Sequence, residues 1–304
     1  MTPTIGVFDS GFGGLTVLRA LVARLPHAQF AFLGDTARLP YGSKSRRTIA
    51  RYAAESAQFL VHKQGAEFLV IACNTASALA LDAIQAAVPV PVLGVIEPGA
   101  EAARAASRTG DVLVIATDAT VQSHAYAAAC RALGLRALEK ACPLLVPLVE
   151  EGWTSLPDYS AAVAVPDAAQ AAPAPPQVAV TSEVVRIYLA ELTADAAALG
   201  MNPDTLVLGC THYPLLRPLL EAAVPPGMRV IDSAEAAAET AARLFGQLAS
   251  ERPPFEKDSE QDPSAPNHGK IRCFATDSVE KFERLGSRFL GRSVGTVELV
   301  DLGG

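Results

Sequence analysis

The sequence predicts an α/β protein of two similar domains, each a largely parallel sheet flanked by helices, with the active site in the cleft between them. Short apolar runs alternate with Ala- and Leu-rich segments of helical period, which is typical of βαβ units. One pattern occurs twice: residues 69–75 and 206–212 are each an apolar run, then a cysteine, then two small or polar residues. Residues 6–10 and 229–233 also match, each ending in Asp-Ser. Both repeats favour an internal duplication.

The strands follow from apolar runs bounded by turn residues, which indicate buried strands of a parallel sheet. In chain order, strands are predicted at residues 5–8, 30–33, 68–72, 90–95, 112–116, 206–209, 229–231, 271–274 and 296–300. Helices are predicted between most of them, for example at residues 48–64, 77–87, 123–133 and 182–199. Residues 181–183 provide a plausible cap for the last of these helices.

The chain is predicted to divide into a discontinuous first domain, residues 1–96 plus 234–304, and a second domain, residues 97–233. Residues 165–177 are dominated by Ala and Pro, and residues 251–270 hold four prolines and many charges. Segments of this composition are typical of extended loops. Both are therefore predicted to be flexible insertions.

Composition excludes several classes of protein. A length of 304 residues suits two domains, and a formal net charge of −7 disfavours nucleic acid as a partner. The N-terminus shows no signal-peptide pattern, and the longest apolar-looking stretch, residues 76–96, is broken by two prolines and two polar residues. No membrane partner is therefore expected. Five scattered cysteines without a CxxC pair support neither disulfides nor a metal site, so a cytoplasmic location is expected.

Two of the five cysteines are candidates for chemistry. Cys130, Cys142 and Cys273 lie within predicted elements or before a proline, and we interpret them as small buried apolar residues. Cys73 and Cys210 instead end strands with helix starts directly behind them, where open sheets place ligands. Backbone N–H groups and the helix dipole at such a position are expected to lower the pKa of a thiol from about 8.5.

The glycine-rich turn at residues 9–14 joins a strand to a helix and allows three interpretations. It is a tight turn, a dinucleotide site with Asp35 as the ribose-binding acid, or a support for the Asp9 carboxylate. Thr16 occupies the third glycine position of a dinucleotide motif, and Asp9 would repel a pyrophosphate. We therefore favour Asp9 as a group that steers a thiol proton or an ammonium group.

Three further features are weaker candidates. Residues 40–43 form a turn whose N–H groups can bind a carboxylate. Glu150 and Glu151 precede Gly152, and the alternative interpretation of this pair is a solvated helix end. His212 is two residues from Cys210 and can accept a proton from its thiol, although a single histidine is more often structural.

Together these segments resemble the glutamate racemases of the aspartate/glutamate racemase family. The resemblance is carried by residues 6–17, 34–36 with 40–42, 72–76, 94–99, 146–152 and 209–214, in the family's order and over about the first 235 residues. The two insertions and the tail from residue 251 depart from the family's compact pattern.

The resemblance implies an isomerase that interconverts L- and D-glutamate without a cofactor or a metal and supplies D-glutamate for peptidoglycan. It implies that Cys73 removes the α-proton of D-glutamate and Cys210 that of L-glutamate. Asp9 would assist Cys73, while His212 and Glu150 would support Cys210. The implied substrate-binding residues are Asp9, Ser10, Tyr41, Gly42, Asn74, Thr75, Thr211 and His212, with Thr117 and Thr120 as further contacts.

Elementary chemistry agrees with this implication. Inversion at the α-carbon needs one base and one acid on opposite faces, and each must reverse its role with the handedness of the substrate, so two groups of the same type suit the task. No lysine lies in a setting typical of pyridoxal phosphate. The alternatives are a racemase of aspartate or another amino acid, and a two-lobed binding protein for a small dicarboxylate. The sequence does not determine assembly, and a homodimer stays open.

Overall fold

The computed structural model describes residues 3–154, 176–250 and 271–303. In these ranges ten strands form two sheets. The strands are β1 Thr4–Asp9, β2 Gln29–Gly34, β3 Ala66–Ile71, β4 Val92–Gly94, β5 Asp111–Ala116, β6 Arg136–Ala141, β7 Thr205–Gly209, β8 Arg229–Asp232, β9 Ile271–Ala275 and β10 Val297–Leu299. The first sheet has the order β10-β9-β2-β1-β3-β4 and the second the order β6-β5-β7-β8. Every pair is parallel, which confirms the predicted α/β class.

Helices of varied length flank both sheets. They are α1 Leu15–Arg24, α2 Arg46–Gln58, α3 Asn74–Leu79, α4 Leu81–Ala87, α5 Ile96–Ala106, α6 Asp118–Ser123, α7 Ala125–Ala132, α8 Leu145–Glu150, α9 Pro176–Ala198, α10 Arg217–Ala223, α11 Ser233–Ser250 and α12 Val279–Leu290. None of the helices described has the length and apolar character needed to span a bilayer.

The predicted helices differ in detail from those observed. The helix predicted at 48–64 is α2 followed by a π-helical turn, Phe59–Lys63. The helix predicted at 123–133 is interrupted at His124, whose φ of 54° ends α6 and begins α7. The predicted insertions at 165–177 and 251–270 lie outside the described residues, except that Pro176 and Gln177 begin α9.

Strand β6 was not predicted, because its sequence lacks the apolar run that marks the other strands. Arg136, Glu139 and Lys140 lie in it, and the strand is only partly buried at the edge of the second sheet. Its backbone pairs with β5 along its whole length. An edge strand tolerates charged side chains because one side faces water.

Residues of both sheets share one apolar core. Phe12 and Leu15 from the first sheet's side belong to the same buried cluster as Ile115 and Leu208 from the second. The C-terminal part of the chain contributes as well, since α12 buries Phe282 against this cluster. The strands of the first sheet come from residues 4–94 and 271–299 and those of the second from 111–232. On this basis we retain the two-domain division as a proposal.

Candidate active site

A cavity of about 260 Å³ opens where strands of both sheets end. Its size lies below the range of about 300–1,000 Å³ that is usual for drug-sized ligands, so it suits a small molecule. It is lined by residues that follow β1, β2, β3, β5 and β7, and by α8. The catalytic and substrate-binding residues implied by the resemblance line it, except for the further contact Thr120; they are Asp9, Ser10, Tyr41, Gly42, Cys73, Asn74, Thr75, Glu150, Cys210, Thr211 and His212, with Thr117.

Cys73 lies at the end of β3 and caps α3. Its sulfur accepts the N–H of Ala76 at 3.4 Å, and its thiol donates to the Ser10 hydroxyl at 3.4 Å. Burial raises the pKa of the Cys73 thiol to about 12, and the nearby Asp9 carboxylate adds to the rise. The expected fall in the pKa of this thiol is therefore wrong. The hydrogen bonds at the helix start lower the pKa less than burial raises it.

Cys210 lies at the end of β7 beside a chain of charged groups. His212 Nδ1 is 3.9 Å from the Cys210 sulfur, and His212 Nε2 is 3.4 Å from Glu150 Oε1. The other carboxylate oxygen of Glu150 is 3.5 Å from Lys281 Nζ. The relay Cys210–His212–Glu150–Lys281 thus reaches from the cavity to α12.

This relay carries a positive charge at its centre. Burial lowers the pKa of His212, but the hydrogen bonds with Cys210 and Glu150 outweigh burial and raise it to about 10. Burial raises the pKa of Glu150, yet His212 and Lys281 outweigh it and hold that pKa below its usual value. At neutral pH an imidazolium therefore faces the Cys210 sulfur, and it stabilises negative charge that develops there.

Asp9 is a buried carboxylate with one oxygen free for a ligand. Its Oδ2 accepts the N–H of Gly11 at 3.0 Å, whereas its Oδ1 is buried and has no hydrogen-bond partner among the residues described. Burial raises the pKa of Asp9, while the charge of His212 and backbone N–H groups oppose this rise. A buried acceptor without a partner is costly, so an ammonium group is a fitting ligand.

Asp35 anchors the loop that carries Tyr41. It accepts the Tyr41 hydroxyl at 2.5 Å and the Arg38 Nε at 2.8 and 2.9 Å. Burial and the Asp35 carboxylate both raise the pKa of Tyr41, which remains a phenol. Since these partners occupy the Asp35 carboxylate, a ribose-binding role for it has no structural support. Tyr41 itself lines the cavity.

Three threonine hydroxyls meet between the two sheets. Thr75 is 3.0 Å from Thr117 and 3.2 Å from Thr120, and the latter two are 3.0 Å apart. Thr75 and Thr117 line the cavity, and Thr120 lies buried behind them. This cluster provides donors for a carboxylate.

Sequence reasoning missed several residues around the site. Phe12 lines the cavity and lies beside His212, with ring centroids 6.5 Å apart. Lys281 comes from the tail that departs from the family pattern, so nothing in the sequence connected it with Glu150. Within the described ranges, no cluster of three or more His, Cys, Asp or Glu side chains is arranged to hold a metal ion.

Comparison with known proteins gives consistent matches. The model of the family described as Asp/Glu/Hydantoin racemase matches residues 5–241. A glutamate racemase of Koribacter versatilis is 50% identical, covering 99% of this chain and 98% of its own. The crystal structure of a Bacillus anthracis glutamate racemase isoform has a TM-score of 0.80 and 33% identity, covering 99% and 98%. The structure of a Francisella tularensis glutamate racemase in complex with D-glutamate has a TM-score of 0.78 and 30% identity, also covering 99% and 98%.

Proposed function

The chain belongs to the Asp/Glu/hydantoin racemase family, and we propose that it interconverts L- and D-glutamate by proton transfer between two cysteines. The observation that carries the proposal is the placement of Cys73 and Cys210, from two different sheets, on one small cavity. Racemisation requires a proton donor and a proton acceptor on opposite faces of the α-carbon.

In the direction from L- to D-glutamate, the Cys210 thiolate takes the α-proton and the Cys73 thiol supplies a proton to the other face. Cys210 ends the turnover as a thiol and Cys73 as a thiolate, and the reverse direction starts from that state. The charges of the site suit this order. The raised pKa of Cys73 keeps it a thiol, and the imidazolium of His212 stabilises negative charge on Cys210.

The remaining site residues hold the substrate and stabilise the carbanion. The free oxygen of Asp9 binds the ammonium group, and the hydroxyl of Ser10 accepts from the Cys73 thiol at 3.4 Å. Hydroxyl and amide donors from Asn74, Thr75 and Thr211 bind carboxylates, and Tyr41 and Gly42 close one side of the cavity. Donors held at fixed positions in the cavity stabilise the charge that develops during proton removal.

We place this activity in the cytoplasm, where D-glutamate is supplied for peptidoglycan. The reaction needs no cofactor in this scheme, because both proton-transfer groups belong to the chain. Assembly as a homodimer stays a prediction.

The direct test is to follow the circular dichroism signal of L-glutamate after the protein is added without any cofactor. The signal is expected to fall to zero as the racemate forms, with L-aspartate giving much slower loss. An unchanged signal with glutamate contradicts the proposed function and favours the alternative, a two-lobed binding protein for a small dicarboxylate. Faster loss with aspartate than with glutamate assigns the activity to the alternative substrate.

Single variants test the two-cysteine scheme. Cys73→Ser and Cys210→Ser are each expected to remove most turnover while the near-native circular dichroism spectrum is retained, since a serine hydroxyl is a much weaker acid than a thiol. Cys130→Ser is the matched control, because Cys130 is buried in α7 away from the cavity. Near-normal racemisation by either test variant means that the substituted cysteine is not an essential base.

A further inference from the structure

Tyr126 lies behind the cavity and joins the two sheets. It belongs to α7, is fully buried and does not line the cavity. Its hydroxyl donates to Oδ1 of Asn74 at 2.7 Å. Asn74 is the first residue of α3 and directly follows Cys73. The Tyr126 hydroxyl, from the proposed second domain, thus hydrogen-bonds the Asn74 carboxamide of the proposed first domain.

The carboxamide of Asn74 has one end satisfied and one end free. Asn74 is 3% exposed and lines the cavity. Its Oδ1 accepts from Tyr126, whereas its Nδ2 is buried and has no hydrogen-bond partner among the residues described. The acceptor end therefore faces Tyr126 and the donor end is available to a ligand. A buried N–H without a partner is costly unless a ligand completes it.

The hydrogen bond from Tyr126 sets this orientation in the structure. The Tyr126 hydroxyl gives its proton to Asn74 Oδ1, while the hydroxyl of the neighbouring Ser233 donates to the carbonyl of Leu208 at 3.0 Å. Burial raises the pKa of Tyr126, so its hydroxyl keeps its single proton. With a donor opposite it, Asn74 presents Oδ1 to Tyr126 and turns Nδ2 away.

Two glycines confine the ring of Tyr126. A Cβ added at Gly209 would lie 2.9 Å from ring atom Cε2, and one added at Gly99 would lie 3.1 Å from Cε1. The ring therefore packs directly on the backbone, and Gly209 immediately precedes Cys210. This packing fixes the Tyr126 hydroxyl relative to the end of β7. The same hydroxyl bonds Asn74, the residue after Cys73.

We propose that Tyr126 is a positioning residue, whose hydroxyl orients the Asn74 carboxamide so that Nδ2 meets a carboxylate of the bound substrate. This inference rests on the proposed function, because it needs an amino-acid dicarboxylate in the cavity. Removal of the hydroxyl leaves Oδ1 buried against an apolar ring. The carboxamide then turns Oδ1 toward the cavity, where it repels the carboxylate.

The test compares full-length Tyr126→Phe, Asn74→Ala and the double variant in racemisation of both enantiomers. Tyr126→Phe alone is expected to raise KM for glutamate about tenfold, the usual effect of losing a hydrogen bond to a charged group. In the Asn74→Ala background, the same substitution is expected to change KM less than about twofold, because the group that it positions is absent.

Tyr213→Phe is the matched control. The Tyr213 hydroxyl is equally buried and bonds the backbone carbonyls of Ala116 and Cys142 at 3.1 and 3.0 Å. Its loss is expected to lower thermal stability and to act independently of Asn74→Ala. A wild-type KM in Tyr126→Phe, or an equal rise in KM with and without Asn74, overturns the inference.

A second measurement applies if Tyr126→Phe does not fold. In a crystal structure of the wild-type protein with glutamate, Asn74 Nδ2 is expected within hydrogen-bond distance of a substrate carboxylate and Oδ1 on the Tyr126 hydroxyl. A carboxamide that contacts no carboxylate overturns the inference. Absence of glutamate turnover in the wild-type protein overturns the proposed function instead, so the two failures are distinguishable.

Discussion

Gly13 allows the first domain to approach His212 closely, and Gly13→Ala tests whether this approach sets the position of the relay. An added Cβ would lie 2.7 Å from both Cε1 and Nδ1 of His212 and closer still to the Thr211 hydroxyl. The turn cannot retreat easily, since the carbonyl of Gly13 accepts both the N–H and the hydroxyl of Thr16. The same hydroxyl also donates to the carbonyl of Thr211 at 3.0 Å.

The size of the disturbance follows from these distances. Contacts of a Cβ become ordinary only from 3.4 Å, so the His212 ring must move by about 0.7 Å. His212 is 3.9 Å from Cys210 and 3.4 Å from Glu150, so such a movement breaks at least one of these contacts. Misplacement on this scale lowers kcat about a hundredfold. Overpacking is expected to cost about 1–3 kcal/mol of the free energy of unfolding.

The assay is racemisation of L- and D-glutamate by purified Gly13→Ala, with urea unfolding to measure stability. Gly246→Ala in α11 is the matched control, because no atom lies within 4 Å of an added Cβ there. It is expected to retain full turnover and to gain about 0.5–1 kcal/mol in stability. A folded Gly13→Ala protein with kcat within twofold of the wild type would refute the argument.

Three further substitutions, one of them a control, test stability by urea unfolding. Asp35→Ala removes the buried acceptor of Arg38 and Tyr41 and is expected to lower the free energy of unfolding by about 3–5 kcal/mol. Asp82→Ala is the control, because the Asp82 side chain is 91% exposed in its ion pair with Arg46, and this substitution is expected to change the free energy of unfolding by less than about 0.5 kcal/mol. Equal effects contradict the burial argument. Burial raises the pKa of Asp204, but four hydrogen bonds outweigh it and lower the pKa to about 2. A lowered folded-state pKa stabilises above the unfolded value of 3.8, so the stability lost in Asp204→Ala should be greatest at neutral pH and shrink as pH falls from 3.8 toward 2.

The fold was predictable where its elements are uniformly apolar. All the predicted strands correspond to observed ones, and the signal is strongest for strands such as β7, which is buried along its whole length and is a nearly continuous apolar run. Strand β6 carries charges at an edge and has no such signal. The break at His124 depends on one positive φ, which a helical period does not reveal.

The site was predictable because parallel sheets bring strand ends together. Asp9 ends a strand, and Cys73 and Cys210 follow their strands within two residues, and these positions line one cavity. The contacts between domains were not predictable, because they depend on how two separate sheets pack. Tyr126 on Asn74 is such a contact. The pKa of Cys73 likewise depends on burial by distant parts of the chain.

The unequal surroundings of the two cysteines cannot make the protein favour one enantiomer. L- and D-glutamate have equal free energy in water, so the ratio of kcat/KM in the two directions is one in every variant and at every pH. The raised pKa of Cys73 favours the state of the free protein in which Cys73 holds its proton. That state is the one that accepts L-glutamate in the proposed scheme. The asymmetry must therefore appear in kcat and KM separately. Both constants are expected to be larger for D-glutamate by the same factor, because D-glutamate binds productively only to the less populated protonation state of the two cysteines. Reading either constant alone as a preference would mistake the resting protonation state for catalytic bias.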